Sequence, residues 1–173
     1  FFAPMIADGW DIVPLTTSCA LMLKFEWPLI VPGNAEVELL AKRTFDVSEY
    51  IVRLSKDTGL APIDPMARTI GVHFACHARA QNMGPKALEM LRMIPEAKPQ
   101  ITERCSGHGG KWGIFKQNFD RAIKVGTPTG RALMKNEPDM IVSECPLAGP
   151  HLRQVIEASG KEPPARIGHP IEV

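Results

Sequence analysis

Four cysteines are the residues of this chain best suited to chemistry, and each comes soon after a short apolar run. Cys76 follows TIGVHFA, Cys105 follows PQITE, Cys145 follows DMIVSE, and Cys19 comes shortly after DIVPLT. Thiolates are soft ligands that favour iron–sulfur clusters, zinc or copper(I) over hard cations. If the runs are parallel strands, their carboxyl ends lie along one edge of the sheet, where such folds bind ligands. The pattern therefore predicts that at least three thiols share one metal or cluster site.

The loop ERCSGHGGKWG, residues 103–113, places one of these thiols among four glycines. Glycines such as Gly107 let backbone come close to a bulky group and let N–H groups point toward its negative charge. An iron–sulfur cluster is bulky, anionic and bound by thiolates. His77 and His108 flank this site and would complete a zinc set with Cys76, Cys105 and Cys145, hydrogen-bond to a cluster sulfur, or order the loop.

Simpler interpretations of the same residues remain open. Free cysteine is often a small buried hydrophobe, so one cysteine after a strand is more often a core residue than a ligand. A disulfide framework is disfavoured because the chain is large enough to hold a core and shows no export signal. His73, within a predicted strand, and His151, within a predicted helix, are interpreted as structural residues.

Composition narrows the class of protein. The chain has 173 residues, of which 45% are hydrophobic and 23% charged, with a net charge of +1. Basic residues are scattered and aromatic residues are few, so no nucleic-acid partner is expected. No apolar run approaches the roughly 20 residues that span a bilayer. We expect a protein of the cytoplasm, either free or peripheral at the inner face of the membrane.

Strands alternating with helices predict the fold of the second part of the chain. Strands are predicted over 69–75, 98–103 and 139–144, and helices over 84–95 and 148–161, with two helices in 114–136 broken near Gly126 to Pro128. This order predicts an α/β fold with a parallel sheet, helices on both faces and the cysteines at the carboxyl ends of the strands.

The first part of the chain has a different order of predicted elements. Residues 11–16 are β-prone, 20–30 form an amphipathic stretch, and 46–59 form a helix with Gly59 as its C-cap. Residues 59–68 contain two prolines and are predicted to be a linker. The predicted units are therefore 1–58 and 69–173.

Three segments resemble the cysteine-rich CCG domain of iron–sulfur oxidoreductases, a domain found in subunits of heterodisulfide reductase and of anaerobic glycerol-3-phosphate dehydrogenase. They are FACHARAQNMGPKALEMLRMIP, ERCSGHGGKWGIFKQNF and IVSECPLAGPHLRQ. In that pattern Cys76 matches the first cysteine, Cys105 the first of the Cys-Cys pair, Gly107 its glycine, and Cys145 the first of the Cys-x-x-Cys. The resemblance implies that 69–173 is a nearly complete CCG-type domain and 1–58 the end of a preceding copy, with Cys19 in its closing motif.

The sequence departs from that pattern at three positions. Ser106 stands where the second cysteine of the pair is expected, Ala148 where the last one is expected, and Met22 follows Cys19 by three residues without being a thiol. A five-cysteine cluster as in heterodisulfide reductase therefore cannot form in the known way. Three cysteines would still hold a cluster if Cys19, His108 or an outside ligand completes the set.

The resemblance implies an electron-relay function. We expect a fragment of an iron–sulfur oxidoreductase, with a cluster of the 4Fe-4S type, that passes electrons from a glycerol-3-phosphate or organic-acid dehydrogenase partner to quinone or another carrier. The alternatives are a non-redox zinc module and a metal-free docking scaffold.

Apolar residues in the first part predict a further contact. Leu21, Phe25, Trp27 and Leu29 would be costly to leave in water, at about 1.5–3 kcal/mol for each fully buried side chain of this kind. We therefore expect either a homo-oligomer or a first part that folds back over the sheet, and only the second brings Cys19 near the other thiols.

Overall fold

A computed structural model describes all residues from 1 to 173. Its centre is a sheet of four strands in the order β2-β1-β3-β4, every neighbouring pair of which is parallel. The strands are β1 Thr69–His73, β2 Lys98–Thr102, β3 Met140–Ser143 and β4 Arg166–Gly168. The predicted α/β fold with a parallel sheet is confirmed.

Helices connect the strands and cover the sheet. They are α1 Ala3–Ala7, α2 Thr17–Leu21, α3 Trp27–Ile30, α4 Ala35–Lys42, α5 Val47–Asp57, α6 Cys76–Ala80, α7 Lys86–Leu91, α8 Lys116–Leu133 and α9 Ala148–Ala158. A π-helical segment, Met22–Glu26, joins α2 to α3. No helix is both long enough and apolar enough to cross a membrane.

The core lies on both faces of the sheet because successive strand residues point to opposite sides. Ile141 packs with Leu133 of α8 and Leu152 of α9 on one face. Its neighbours Met140 and Val142 pack on the other face, in a cluster that includes residues of β1 and α7. The middle residues of β1 and β3 are therefore apolar and buried, as in other parallel strands covered on both faces.

The first part of the chain folds back onto the sheet region. Helix α2 packs against α6, and α5 packs against α7. A buried hydrogen-bonded contact joins the two parts, in which Gln81 Nε2 donates to Thr17 Oγ1 at 3.0 Å and to the Thr17 carbonyl oxygen at 3.1 Å. Leu21 and Leu23 are buried, whereas Leu29 remains 80% exposed. The chain thus adopts the folded-back arrangement for part of its apolar surface and leaves the end of α3 uncovered.

Two local predictions were wrong. Residues 11–16 form no strand and contribute only a single bridge between Ile12 and Thr44. The predicted break near Gly126 to Pro128 is absent, and α8 runs through Pro128. Glycines 126 and 130 of α8 let it lie close against α9, since added Cβ atoms there would come within 2.9 Å of Val155. This close packing supports the helix across the missing proline hydrogen bond.

Other elements follow directly from local chemistry. Asp46 and Glu49 form a capping box at the start of α5, and Gly59, at φ +76°, follows its end. Asn34 caps α4, a helix not predicted from the sequence, by accepting from the backbone N–H groups of Glu36 and Val37.

Candidate functional site

Three cysteine-bearing segments leave the sheet from neighbouring strands. Cys76 begins α6 shortly after β1 ends at His73, Cys105 comes three residues after the end of β2, and Cys145 two residues after the end of β3. Since β2, β1 and β3 are adjacent and parallel, these segments depart from the same edge. That all three thiols meet at one cofactor remains a prediction.

At this edge of the sheet, the His108 ring contacts both Ser106 and Cys145. Its Nδ1 lies 2.7 Å from Ser106 Oγ, and its Nε2 lies 3.6 Å from Cys145 Sγ. Ser106 and Cys145 are both buried. Ser106, where the resemblance places a cysteine, therefore contacts an imidazole, and that imidazole touches the cysteine that follows β3.

Burial shifts the pKa values of Cys145 and His108 in opposite directions. It raises the pKa of the Cys145 thiol, and the nearby Cys76 adds a smaller effect in the same direction. Burial also lowers the pKa of His108, with a further lowering by the charges of His151 and His77. A protonated thiol next to a neutral imidazole follows at neutral pH, and the tautomer of the ring decides which partner donates at each of the two contacts. Any soft metal that binds Cys145 must displace this proton.

The packing of the loop 103–113 on α8 requires a glycine at position 107. Gly107 adopts φ +95°, and a Cβ added there would lie 2.7 Å from the backbone nitrogen of Gly126 and closer still to the carbonyl oxygen of Ala122. The glycine therefore lets the cysteine loop lie directly on α8. Whether its backbone also faces a cluster remains a prediction.

The other cysteines and Ala148 differ in exposure. Cys19, Cys76 and Cys105 are exposed. Cys19 lies on α2, which packs against the helix that begins at Cys76. Ala148, where the resemblance places a further cysteine, is fully buried in the apolar cluster that contains Cys145. The alanine methyl group fills a core position there.

Two buried polar residues at this edge were not singled out as functional by sequence reasoning. His73 Nε2–H donates to the Arg104 carbonyl at 3.0 Å and its Nδ1 accepts from Ser143 Oγ at 2.8 Å, while burial lowers its pKa to about 4. Glu144 is 1% exposed, and burial, followed by the nearby Asp46 carboxylate, raises its pKa to about 8. An acidic residue ending an otherwise apolar strand was the available signal for Glu144.

The donor types suit an iron–sulfur cluster, whereas a single-ion site is not assembled. No three His, Cys, Asp or Glu side chains are arranged to hold one metal ion. A zinc ion, with Zn–S bonds of about 2.3 Å, needs its ligands crowded round one point. A zinc set of Cys76, Cys105, Cys145 and His108 stays an alternative prediction.

Comparison with known proteins finds distant relatives. No family model matches the chain. It is 22% identical over 138 residues to a subunit of the anaerobic glycerol-3-phosphate dehydrogenase of Escherichia coli (strain K12), covering 79% of this chain and 34% of the relative. It is 28% identical over 123 residues to an uncharacterized iron-sulfur protein of Methanocaldococcus jannaschii, covering 70% and 24%. It is 24% identical over 158 residues to a subunit of the fumarate reductase (CoM/CoB) of Methanothermobacter marburgensis, covering 88% and 30%.

The names of these relatives describe similar classes of protein, although the sequence identities are low. Their names describe one iron-sulfur protein and subunits of a dehydrogenase and a reductase. The chain spans between a quarter and about a third of their length. The similarity therefore relates this chain to iron–sulfur and oxidoreductase-subunit sequences.

Proposed function

We propose that this chain is part of an iron–sulfur oxidoreductase subunit that relays electrons between a dehydrogenase partner and quinone or another carrier. The observation that carries the proposal is that three cysteine-bearing segments leave one edge of a parallel sheet from adjacent strands. Relatives named as an iron-sulfur protein and as oxidoreductase subunits support it. The nature of the partner, glycerol-3-phosphate or organic-acid dehydrogenase, is part of the proposal and comes from those names and the resemblance.

The residues proposed to hold the cluster are Cys76, Cys105 and Cys145, with Cys19 as the candidate fourth thiol. When bound, such a cluster supplies one-electron transfer at a potential set by its ligands, its burial and nearby hydrogen bonds. The chain's own contribution is the environment. It buries Cys145, places the His108 ring 3.6 Å from that sulfur, and holds the ring with Ser106. Such outer contacts tune both metal affinity and potential.

The two parts of the chain have separate roles in this proposal. Residues 69–173 carry three of the thiols as a CCG-type domain, and residues 1–58, joined through 59–68, bring Cys19 from the end of a preceding copy. The packing of α2 on α6 supports a contribution from Cys19 because it holds the two helices that carry Cys19 and Cys76 together.

Analysis of iron and acid-labile sulfide on anaerobically purified full-length protein tests the proposal. We expect stoichiometric iron and sulfide, and their loss in Cys145→Ser. Cys19→Ser decides the fourth ligand, since it lowers cluster occupancy only if that thiol binds. Ser159→Ala, at the end of α9, is the matched control and should leave iron content unchanged. Protein that folds normally but contains no iron or sulfide after anaerobic reconstitution would refute the proposal.

A metal-free docking scaffold is the second candidate, favoured by one observation. Both vacated cysteine positions are integrated into the protein: Ser106 is hydrogen-bonded to His108, and Ala148 is buried in the core. In that case the same analysis finds neither iron nor zinc, and triple replacement of Cys76, Cys105 and Cys145 by serine leaves partner binding intact.

A further inference from the structure

We propose that a cavity beside His108 binds a small, uncharged, largely apolar molecule that carries one hydrogen-bonding group. The cavity measures about 230 Å³ and is bordered by the cysteine loop, the beginning of α8 and the beginning of α9. It is separate from the thiols, none of which lines it. The inference does not depend on the proposed cluster.

The walls of the cavity are apolar and come from three different segments. Ile114 comes from the loop, Phe119 from α8, and Leu147 and Pro150 from the start of α9. Ile114 is 67% exposed and Leu147 is 47% exposed, so both keep apolar surface in contact with water. Covering that surface with an apolar ligand is favourable, at about 25 cal/mol per Å². Concave apolar walls with few polar groups are typical of small-molecule sites.

The polar groups of the cavity are His108, His151 and Gln154. The two imidazole centroids lie 6.2 Å apart. No Lys, Arg, Asp or Glu lines the cavity. An anion would find no cationic partner and a cation no carboxylate, which leaves an uncharged molecule able to hydrogen-bond to an imidazole or an amide.

The ligand would lie one imidazole away from Cys145. His108 lines the cavity and also places its Nε2 3.6 Å from the cysteine sulfur. Occupation of the cavity would therefore restrict the ring that contacts the thiol. The apolar walls and the absence of Lys, Arg, Asp and Glu from the lining are properties of the protein itself, so binding is expected with or without metal.

Phenol is the probe for this site, and benzoate is its charged control with the same ring. With ¹³C-labelled methyl groups, NMR titration of phenol should shift the signals of Ile114 and Leu147 saturably, while the remote, exposed Leu29 stays unchanged. Benzoate should bind at least about ten-fold more weakly, because burying an unpaired charge is costly. Equal binding of the two ligands, or no saturable shift with phenol, would overturn the proposal.

Two variants locate the binding. Leu147→Trp fills the mouth of the cavity from a half-exposed position and should abolish the phenol shifts at Ile114. His151→Phe keeps a ring in place and removes the hydrogen-bonding group, so phenol should weaken about five-fold, as expected for one hydrogen bond, while toluene should not weaken. Unchanged phenol binding in folded Leu147→Trp would place the site elsewhere and refute the assignment. Iron content, measured on the same samples, reports independently on the cluster.

Discussion

Replacement of Gly107 by alanine should destabilise the protein strongly because the loop and α8 meet there backbone to backbone. The residue has φ +95°, which L side chains rarely adopt, and its added Cβ would lie 2.7 Å from Gly126 N and even nearer to the Ala122 carbonyl oxygen. Neither obstacle is the end of a flexible side chain, so neither can move aside cheaply.

Two costs add at this position. The left-handed backbone conformation costs roughly 1–2 kcal/mol for a residue with a Cβ. Forcing a methyl group into a packed contact costs roughly another 1–3 kcal/mol. The free energy of unfolding should therefore fall by about 2–5 kcal/mol in Gly107→Ala. This effect belongs to the protein without metal.

Gly110→Ala is the matched control from the same loop. Gly110 has φ +60° with nothing within 4 Å of an added Cβ, so only the conformational cost of roughly 1–2 kcal/mol applies. Urea unfolding of metal-free wild type and both variants measures the difference. Equal destabilisation of the two variants would refute the packing argument. A Gly107→Ala defect confined to iron incorporation, with unchanged unfolding, would indicate instead that this glycine serves the cluster.

Three further predictions concern buried groups at the same edge. The pKa of His73 is about 4 in the folded protein, against an ordinary value of 6.5, so its contribution to stability should be lost as the pH falls from about 6.5 to about 4. The free energy of unfolding should fall by at most about 1.4 kcal/mol per pH unit over this range. In urea unfolding His73→Gln should flatten this part of the pH profile, and an identical slope in the variant would exclude His73 as the cause. The pKa of Glu144 is raised from 4.5 to about 8, so its contribution to stability should be present below pH 4.5 and lost as the pH rises toward about 8. Glu144→Gln should remove this loss of stability. A wild-type free energy of unfolding that does not fall over that pH range would contradict the buried, protonated state. Ser106→Cys should place a thiol where the resemblance expects one and alter the electron paramagnetic resonance signal of reconstituted protein without unfolding it. An unchanged spectrum after verified reconstitution would show that position 106 does not face the cluster.

The sheet was predictable because its middle strands are short apolar runs followed by helical periodicity. TIGVH and MIVS are buried on both faces, which is the pattern that predicts parallel strands. Strand β4 was not predicted because its three residues, Arg166–Gly168, lie at the edge and include only one large apolar side chain. Edge strands are buried less, so their composition is less distinctive.

The candidate site was only partly predictable. The positions of the cysteines along the chain follow from the pattern of strands, since each comes after a run of one type. The contact of His108 with Cys145 spans 37 residues and depends on how the loop lies on α8, which no local pattern encodes. The continuity of α8 was likewise not predictable from local sequence. Pro128 by itself indicates a break in the helix, and only the close packing of Gly126 and Gly130 on α9 explains why the helix continues.

The order of the strands has a consequence for how the protein is made. The central strand β1 pairs with β3, which comes 70 residues later at the contact between His73 and Ser143. At about 5–20 residues per second, a ribosome needs roughly 4–14 s to synthesise that interval. During this time the edge of β1 that will bond to β3 has no partner strand, although Ile70 and Val72 can already pack against α7. An unpaired strand edge is a template for pairing with other chains, so slow translation ahead of residue 140 should increase aggregation.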